Sequence, residues 1–141
     1  MYKLYFFVLF LFSSIASMSQ MYVQGGAGLV TGPNVGAGGE LSVGYVYKKT
    51  TFSTGYFAQV NDATPLLFSF QAGYKVNKAV RIYSGYVRKH LSAQLKTSNS
   101  NSWIAGAEYN GKRFKKGNFY YSANYIPSYF FVCVGMKFNY K

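Results

Sequence analysis

Beyond its first twenty residues the chain alternates large apolar side chains with small or polar ones, as in Leu41-Ser42-Val43-Gly44-Tyr45 and Val132-Cys133-Val134-Gly135-Met136-Lys137-Phe138. A repeat of two marks a strand, because successive side chains there point to opposite faces. Eight such segments predict strands over residues 21–29, 38–47, 51–60, 66–76, 80–88, 103–110, 118–126 and 130–140. Most are near the roughly 9 to 11 residues with which a tilted strand crosses a bilayer. No helical period competes with them. A Gly-Tyr pair recurs at Gly44-Tyr45, Gly55-Tyr56, Gly73-Tyr74 and Gly85-Tyr86. In each pair glycine and tyrosine fall on opposite faces, so the sheet has one aromatic side and one emptied, polar side.

Turn formers separate the segments: Thr31-Gly32-Pro33-Asn34, Lys48-Lys49-Thr50, Asn61 to Pro65, Asn77-Lys78, a polar stretch from His90 to Ser102, Asn110 through Asn118, and Pro127-Ser128. Sequential hairpins predict an up-and-down meander with both chain ends on one side. Alternate connections then share a rim, the longer loops on one and mostly tight basic turns on the other. The connection from 110 to 118 is long for the second rim.

The aromatic frame holds Leu41, Val43, Tyr45 and Tyr47; Phe52 and Tyr56; Phe68, Phe70 and Tyr74; Ile82 and Tyr86; Trp103 and Tyr109; Phe119, Tyr121 and Tyr125; and Phe130, Val132, Val134, Met136, Phe138 and Tyr140. The opposite frame holds Glu40, Gly44, Gly55, Gln71, Gly73, Lys75, Arg81, Gly85, Gly106, Glu108, Ser122, Asn124, Cys133, Gly135 and Lys137. A soluble ligand-binding barrel shares the period with opposite polarity, and volume decides between the two. Eight strands enclose room for modest side chains only, and overpacking destabilises. The glycine-rich face therefore points inward and the aromatic face meets lipid.

This orientation encloses charges of both signs, and unpaired buried charges are costly. A lumenal ion-pair cluster is expected around Glu40, Glu108 and Lys137, with Lys75 and Arg81 on the same face. Rim-exposed charges are the bland alternative. Aromatics near strand ends suit interfacial girdles. One belt would hold Tyr45, Tyr47, Phe52, Tyr74, Tyr109, Phe119, Phe138 and Tyr140, and the other Phe68, Tyr86, Trp103, Tyr125 and Tyr129.

Composition sharpens this picture. Aromatic residues make up 21% of the 141 residues and charged ones only 13%, which is unusual for a water-facing surface. Lys3, the apolar run from Leu4 to Phe12 and small Ser17 and Ser19 read as an export signal over residues 1–19, with cleavage before Gln20. That run is shorter than the roughly 20 residues of a helical membrane anchor. The single cysteine, Cys133, cannot form an intramolecular disulfide, and no cysteine follows the signal for acylation.

On signal, strand count, loop asymmetry and the closing strand from Phe130 to Tyr140, the chain resembles the small outer-membrane β-barrel family, similar in plan to the OmpA transmembrane domain and OmpX. The resemblance covers essentially the whole mature chain, 20–141. It implies an all-β, eight-stranded antiparallel transmembrane barrel in the outer membrane. It also implies lipid as surroundings and handover by the barrel assembly machinery, which in that family reads an alternating last strand ending in an aromatic. Here Lys141 follows Tyr140.

The net charge of +12 raises the question of nucleic acid. The cations argue otherwise. Lys48, Lys49, Lys78, Lys112, Arg113, Lys115 and Lys116 fall in the tight turns, where anionic headgroups offer partners. Arg88, Lys89 and Lys96 flank the longest loop and could meet lipopolysaccharide phosphates. No nucleic acid partner is expected. His90 and Asp62 beside Ser92 or Ser98 form the one conceivable acyl-transfer set, and no spacing motif supports it. No enzyme activity, metal or cofactor is expected. The functional expectation is a structural or surface-interaction role with a lumen largely filled by side chains. A narrow porin and a secreted barrel binding an apolar ligand are the alternatives.

Overall fold

A computed structural model of the chain describes residues 20–32, 35–59, 66–90 and 100–140, without the side chains of 66, 89, 90 and 100. The expected export signal (1–19) and the loop residues Asp62, Ser92, Lys96 and Ser98 lie outside the described residues, as do the side chains of Lys89 and His90.

Eight strands follow one another: β1 (Gln20–Thr31), β2 (Gly36–Tyr47), β3 (Thr50–Gln59), β4 (Leu66–Lys75), β5 (Val80–His90), β6 (Ser100–Phe114), β7 (Gly117–Ile126) and β8 (Tyr129–Tyr140). Each pairs antiparallel with its sequence neighbours, and β1 pairs with β8 from Met21↔Tyr140 to Thr31↔Phe130, closing the barrel. Closure removes the unpaired edges that an open sheet would expose.

The alternation places the faces as the pattern predicts. Leu41, Phe52, Tyr56, Phe70, Ile82, Trp103, Tyr121 and Val134 point out and are exposed, while Gln71, Arg81, Glu108, Asn124, Cys133 and Lys137 point in and are buried. The inward glycines sit where strands of a small barrel approach closely. A Cβ at Gly28, Gly85 or Gly135 would overlap the carbonyl of the neighbouring strand, at Val132, Phe70 and Gly25 respectively. Tight hairpins favour residues at positive φ. Lys48 (φ 54°) and Ser128 (φ 76°) supply them in the β2–β3 and β7–β8 turns. At the β4–β5 turn, Asn77 Oδ1 accepts from the backbone N–H groups of Ala79 and Val80, at 2.8 Å each.

Three expectations are corrected. First, the connection from 110 to 118 is not a long turn: β6 continues to Phe114, and Lys115 and Lys116 alone make the turn. The register shift between Asn110 and Arg113 absorbs the extra residue as a bulge, which blurs the two-residue period there. Second, Tyr129 does not join an outer belt but packs against the lumenal apolar cluster. Third, the inward face is not confined to the small, polar and charged residues of the predicted inward frame. Val30, Phe57, Leu67, Val87, Ile104, Ile126 and Phe131, one from every strand but β2, form an apolar layer toward the loop rim. On β2 that level carries Gly38, whose Cβ would overlap the Val30 methyl.

Candidate functional site

The lumen holds the chemistry-bearing side chains. Arg81 on β5 and Glu108 on β6 are direct cross-strand partners, so their side chains leave the wall side by side. Arg81 Nη2 donates to Glu108 Oε2 at 2.8 Å, and Lys137 Nζ, from β8, donates to Glu108 Oε1 at 2.6 Å. Glu108 thus bridges two cations, and its side chain is 0% exposed. Arg81 also reaches the opposite wall, where Nη1 donates to the Tyr22 hydroxyl on β1. The Lys137 ammonium lies 4.1 Å from the centroid of the Tyr22 ring, and the Arg81 guanidinium lies 4.7 Å from that of Tyr83. Such cation–π contacts strengthen where water is excluded.

A second chain of hydrogen bonds runs beside the first. The Tyr83 hydroxyl donates to Asn124 Oδ1, Asn124 Nδ2 to Ser122 Oγ at 3.3 Å, and Ser122 Oγ to Glu40 Oε1 at 2.9 Å. On the β3–β4 wall, Gln71 Nε2 donates to Ser69 Oγ at 3.1 Å, and Ser69 Oγ to the Gly55 carbonyl at 3.4 Å. The buried set contains two cations, Arg81 and Lys137, and two carboxylates, Glu40 and Glu108, so it carries no net formal charge. Pairing and hydrogen bonds offset part of the desolvation cost that isolated charges would carry, while the buried Arg81 Nε has no hydrogen-bond partner among the described residues.

Of the five residues expected in the cluster, Arg81, Glu108 and Lys137 meet directly. Glu40 is buried but makes no ion pair among the described residues; Ser122 is its hydrogen-bond donor. Register explains the separation: Lys137 is level with Gln24, and Gln24 with Ser42, one inward step from Glu40. Lys75 is half-buried and makes no ion pair among the described residues. Its cross-strand partner is Arg81, a like charge, so Arg81 turns to Glu108 on its other side.

Three inward tyrosines, Tyr22, Tyr83 and Tyr120, were missed by the sequence reading, as was the apolar layer. The signal was present: Tyr83 shares the frame of Arg81 and Gly85, and Tyr120 that of Ser122 and Asn124. Cys133 is a buried free thiol level with Ser122, consistent with a small inward filler.

Apart from Tyr129, the residues expected in the girdles face outward. Tyr47, Tyr74, Tyr86, Trp103, Tyr109, Tyr125, Phe138 and Tyr140 are exposed, and Tyr45 is half-buried in a stack with Phe52 at 5.3 Å between centroids. Trp103 packs on Tyr125 at 5.4 Å and Tyr109 on Tyr121 at 6.3 Å, each pair bridging β6 and β7. Arg88 is exposed at the loop end of β5.

No protein-family model and no curated protein matches the sequence. Among solved structures the chain is similar to one described as "De novo design of transmembrane beta-barrels", with a TM-score of 0.54 and 14% identity over 86% of this chain and 93% of that one. At that identity the likeness carries the fold, a closed eight-stranded antiparallel barrel.

Proposed function

We propose that the chain is a small outer-membrane β-barrel with a non-enzymatic, structural or surface-interaction role, exported through a cleaved signal over residues 1–19. One observation carries this reading. Between the rims, the outward face carries no charge and is apolar or aromatic apart from Thr54 on β3 and Ser84 on β5, while the four buried titratable side chains within the barrel, Glu40, Arg81, Glu108 and Lys137, are enclosed and formally balanced. In water that arrangement would expose an apolar surface far larger than soluble monomers carry. In a bilayer it is the stable one, since lipid solvates the rings and the closed ladder pairs the strands' backbone groups with one another. The likeness to a transmembrane barrel agrees with it.

Packing of the lumen favours a filled barrel over a narrow porin: the apolar layer at the loop rim is almost entirely buried. Lipid and lipopolysaccharide are the partners such a surface fits, with Arg88, Lys89 and Lys96 as the lipopolysaccharide contacts. The barrel assembly machinery is the partner during biogenesis. Heat-modifiable electrophoresis of the membrane fraction tests the architecture: the unheated protein is expected to migrate apart from its boiled form. Recovery in plain buffer, with identical migration before and after boiling, would sink the proposal.

A further inference from the structure

The β6–β7 hairpin has a feature that the membrane-barrel reading alone does not account for. Its bulge between Asn110 and Arg113 carries β6 on to Phe114, so four cations, Lys112, Arg113, Lys115 and Lys116, gather at one hairpin tip, all exposed. Between them Phe114 turns back onto the outward aromatics, its ring centroid 5.5 Å from Phe119 and 5.8 Å from Phe138. The two carboxylates among the described residues, Glu40 and Glu108, are both buried in the lumen, so no acidic side chain described at this rim offsets the cations.

Resting on that reading, we propose that the β6–β7 hairpin is an anchor for anionic phospholipid headgroups in the leaflet facing the tight-turn rim. Phe114 sits with rings of the aromatic layer, where acyl chains give way to headgroups. The cations one and two residues away then stand at the height of the phosphates, which Lys and Arg bind with charge-assisted hydrogen bonds. Each cation held at an anionic surface contributes about 1 kcal/mol, or roughly five-fold in partitioning. Two other lysines of this rim are placed differently: Lys48 and Lys49 lie over Tyr47 and Tyr74, at 5.5 and 6.0 Å from the ring centroids.

The test uses the folded barrel in micelles doped with equal amounts of phosphatidylglycerol and phosphatidylcholine of matched acyl chains, and native mass spectrometry to count the lipid retained. The wild type is expected to favour phosphatidylglycerol by about ten-fold. The triple variant R113Q/K115Q/K116Q is expected to fall below about two-fold, while the charge-matched K48Q/K49Q/K78Q keeps most of the preference. Inorganic phosphate is expected to displace the lipid no better than chloride at equal ionic strength. Equal loss in the two triple variants, retention in the first, or selective displacement by phosphate would each overturn the assignment. Heat-modifiable electrophoresis of the same samples separates the outcomes: a barrel that folds in micelles but shows no lipid preference refutes the anchor alone, whereas one that never enters micelles refutes the membrane reading.

Discussion

Tyr22 lies directly across the β1–β2 ladder from Gly44, and a Cβ at residue 44 would sit 2.6 Å from both its Cζ atom and its hydroxyl oxygen. Tyr83 repeats the relation with Gly106 across β5–β6, where the Cβ would lie 2.7 Å from its ring. Tyr120 crosses Gly135 to bring its hydroxyl to 2.6 Å from a Cβ built on Gly26. Each inward tyrosine therefore uses space that a glycine leaves empty, and the ring covers backbone that the glycine would otherwise leave uncovered.

Gly44→Ala and Gly106→Ala are expected to destabilise the barrel by about 1–3 kcal/mol each, the cost of forcing a methyl group into a filled interior. Gly111→Ala provides the contrast. Its nearest neighbour would be Tyr121 Cε2 at 3.4 Å, and the expected change is within about 0.5 kcal/mol. Urea unfolding in a single detergent, compared across the three variants, checks the ordering. Equal losses at Gly44 and Gly111 would mean that the tyrosines do not occupy the lumen.

Glu108→Gln is expected to cost more than Glu40→Gln. Removing the Glu108 charge strands Arg81 and Lys137 together in an enclosed space, a change of about 3–5 kcal/mol for a broken buried pair. Glu40 loses only part of its hydrogen bond from Ser122, at about 1–3 kcal/mol. Heat-modifiability midpoints measured side by side would reveal the order. Identical midpoints in both variants and the wild type would place these charges in water.

Much of this arrangement was legible in the chain. The two-residue period located all eight strands and assigned Glu108, Arg81 and Lys137 to one face, because a strand gives each residue only two directions. What the period does not encode is which inward residues of different strands share a level. That depends on the stagger of the closed barrel, and so Glu40 was grouped with Lys137 although register sets them one step apart. Depth was also hidden: Val30, Phe57, Leu67 and Phe131 sit at strand ends toward the loops, where a large apolar residue reads equally well as belt or plug. The bulge at Asn110 escaped because an inserted residue breaks the alternation on which strand detection rests.

The apolar layer is expected to seal the lumen. Phe57 and Phe131 meet there at 5.4 Å between ring centroids, from β3 and β8, which are not neighbours in the wall. Truncating either to alanine is expected to cost about 3–5 kcal/mol, the range for a buried phenylalanine. The double variant should fall short of the summed cost by about 0.5–3 kcal/mol, since each ring is the other's neighbour. In planar bilayers the wild type is expected to show no resolved conductance steps. Regular steps from the unmodified barrel would overturn the filled-lumen reading and restore a porin-like role.

Val134 offers the sharpest test of what surrounds the barrel. It stands midway along β8, points outward and is 49% exposed, with Ala27 and Tyr121 as its cross-strand partners. On a water-facing wall, Val134→Arg would change stability by no more than about 0.5 kcal/mol, because an exposed arginine keeps its hydration. Facing hydrocarbon, the same guanidinium loses that hydration, and the expected cost is about 2–4 kcal/mol. Depth gives the internal control: Tyr140→Arg, at the rim end of the same strand, should cost only about 0–1 kcal/mol because its charge reaches the headgroups. Unfolding from lipid vesicles measures both. A steep fall at 134 with little change at 140 is the result expected of a membrane-spanning strand, and equal small effects at the two positions would show that the aromatic face meets water.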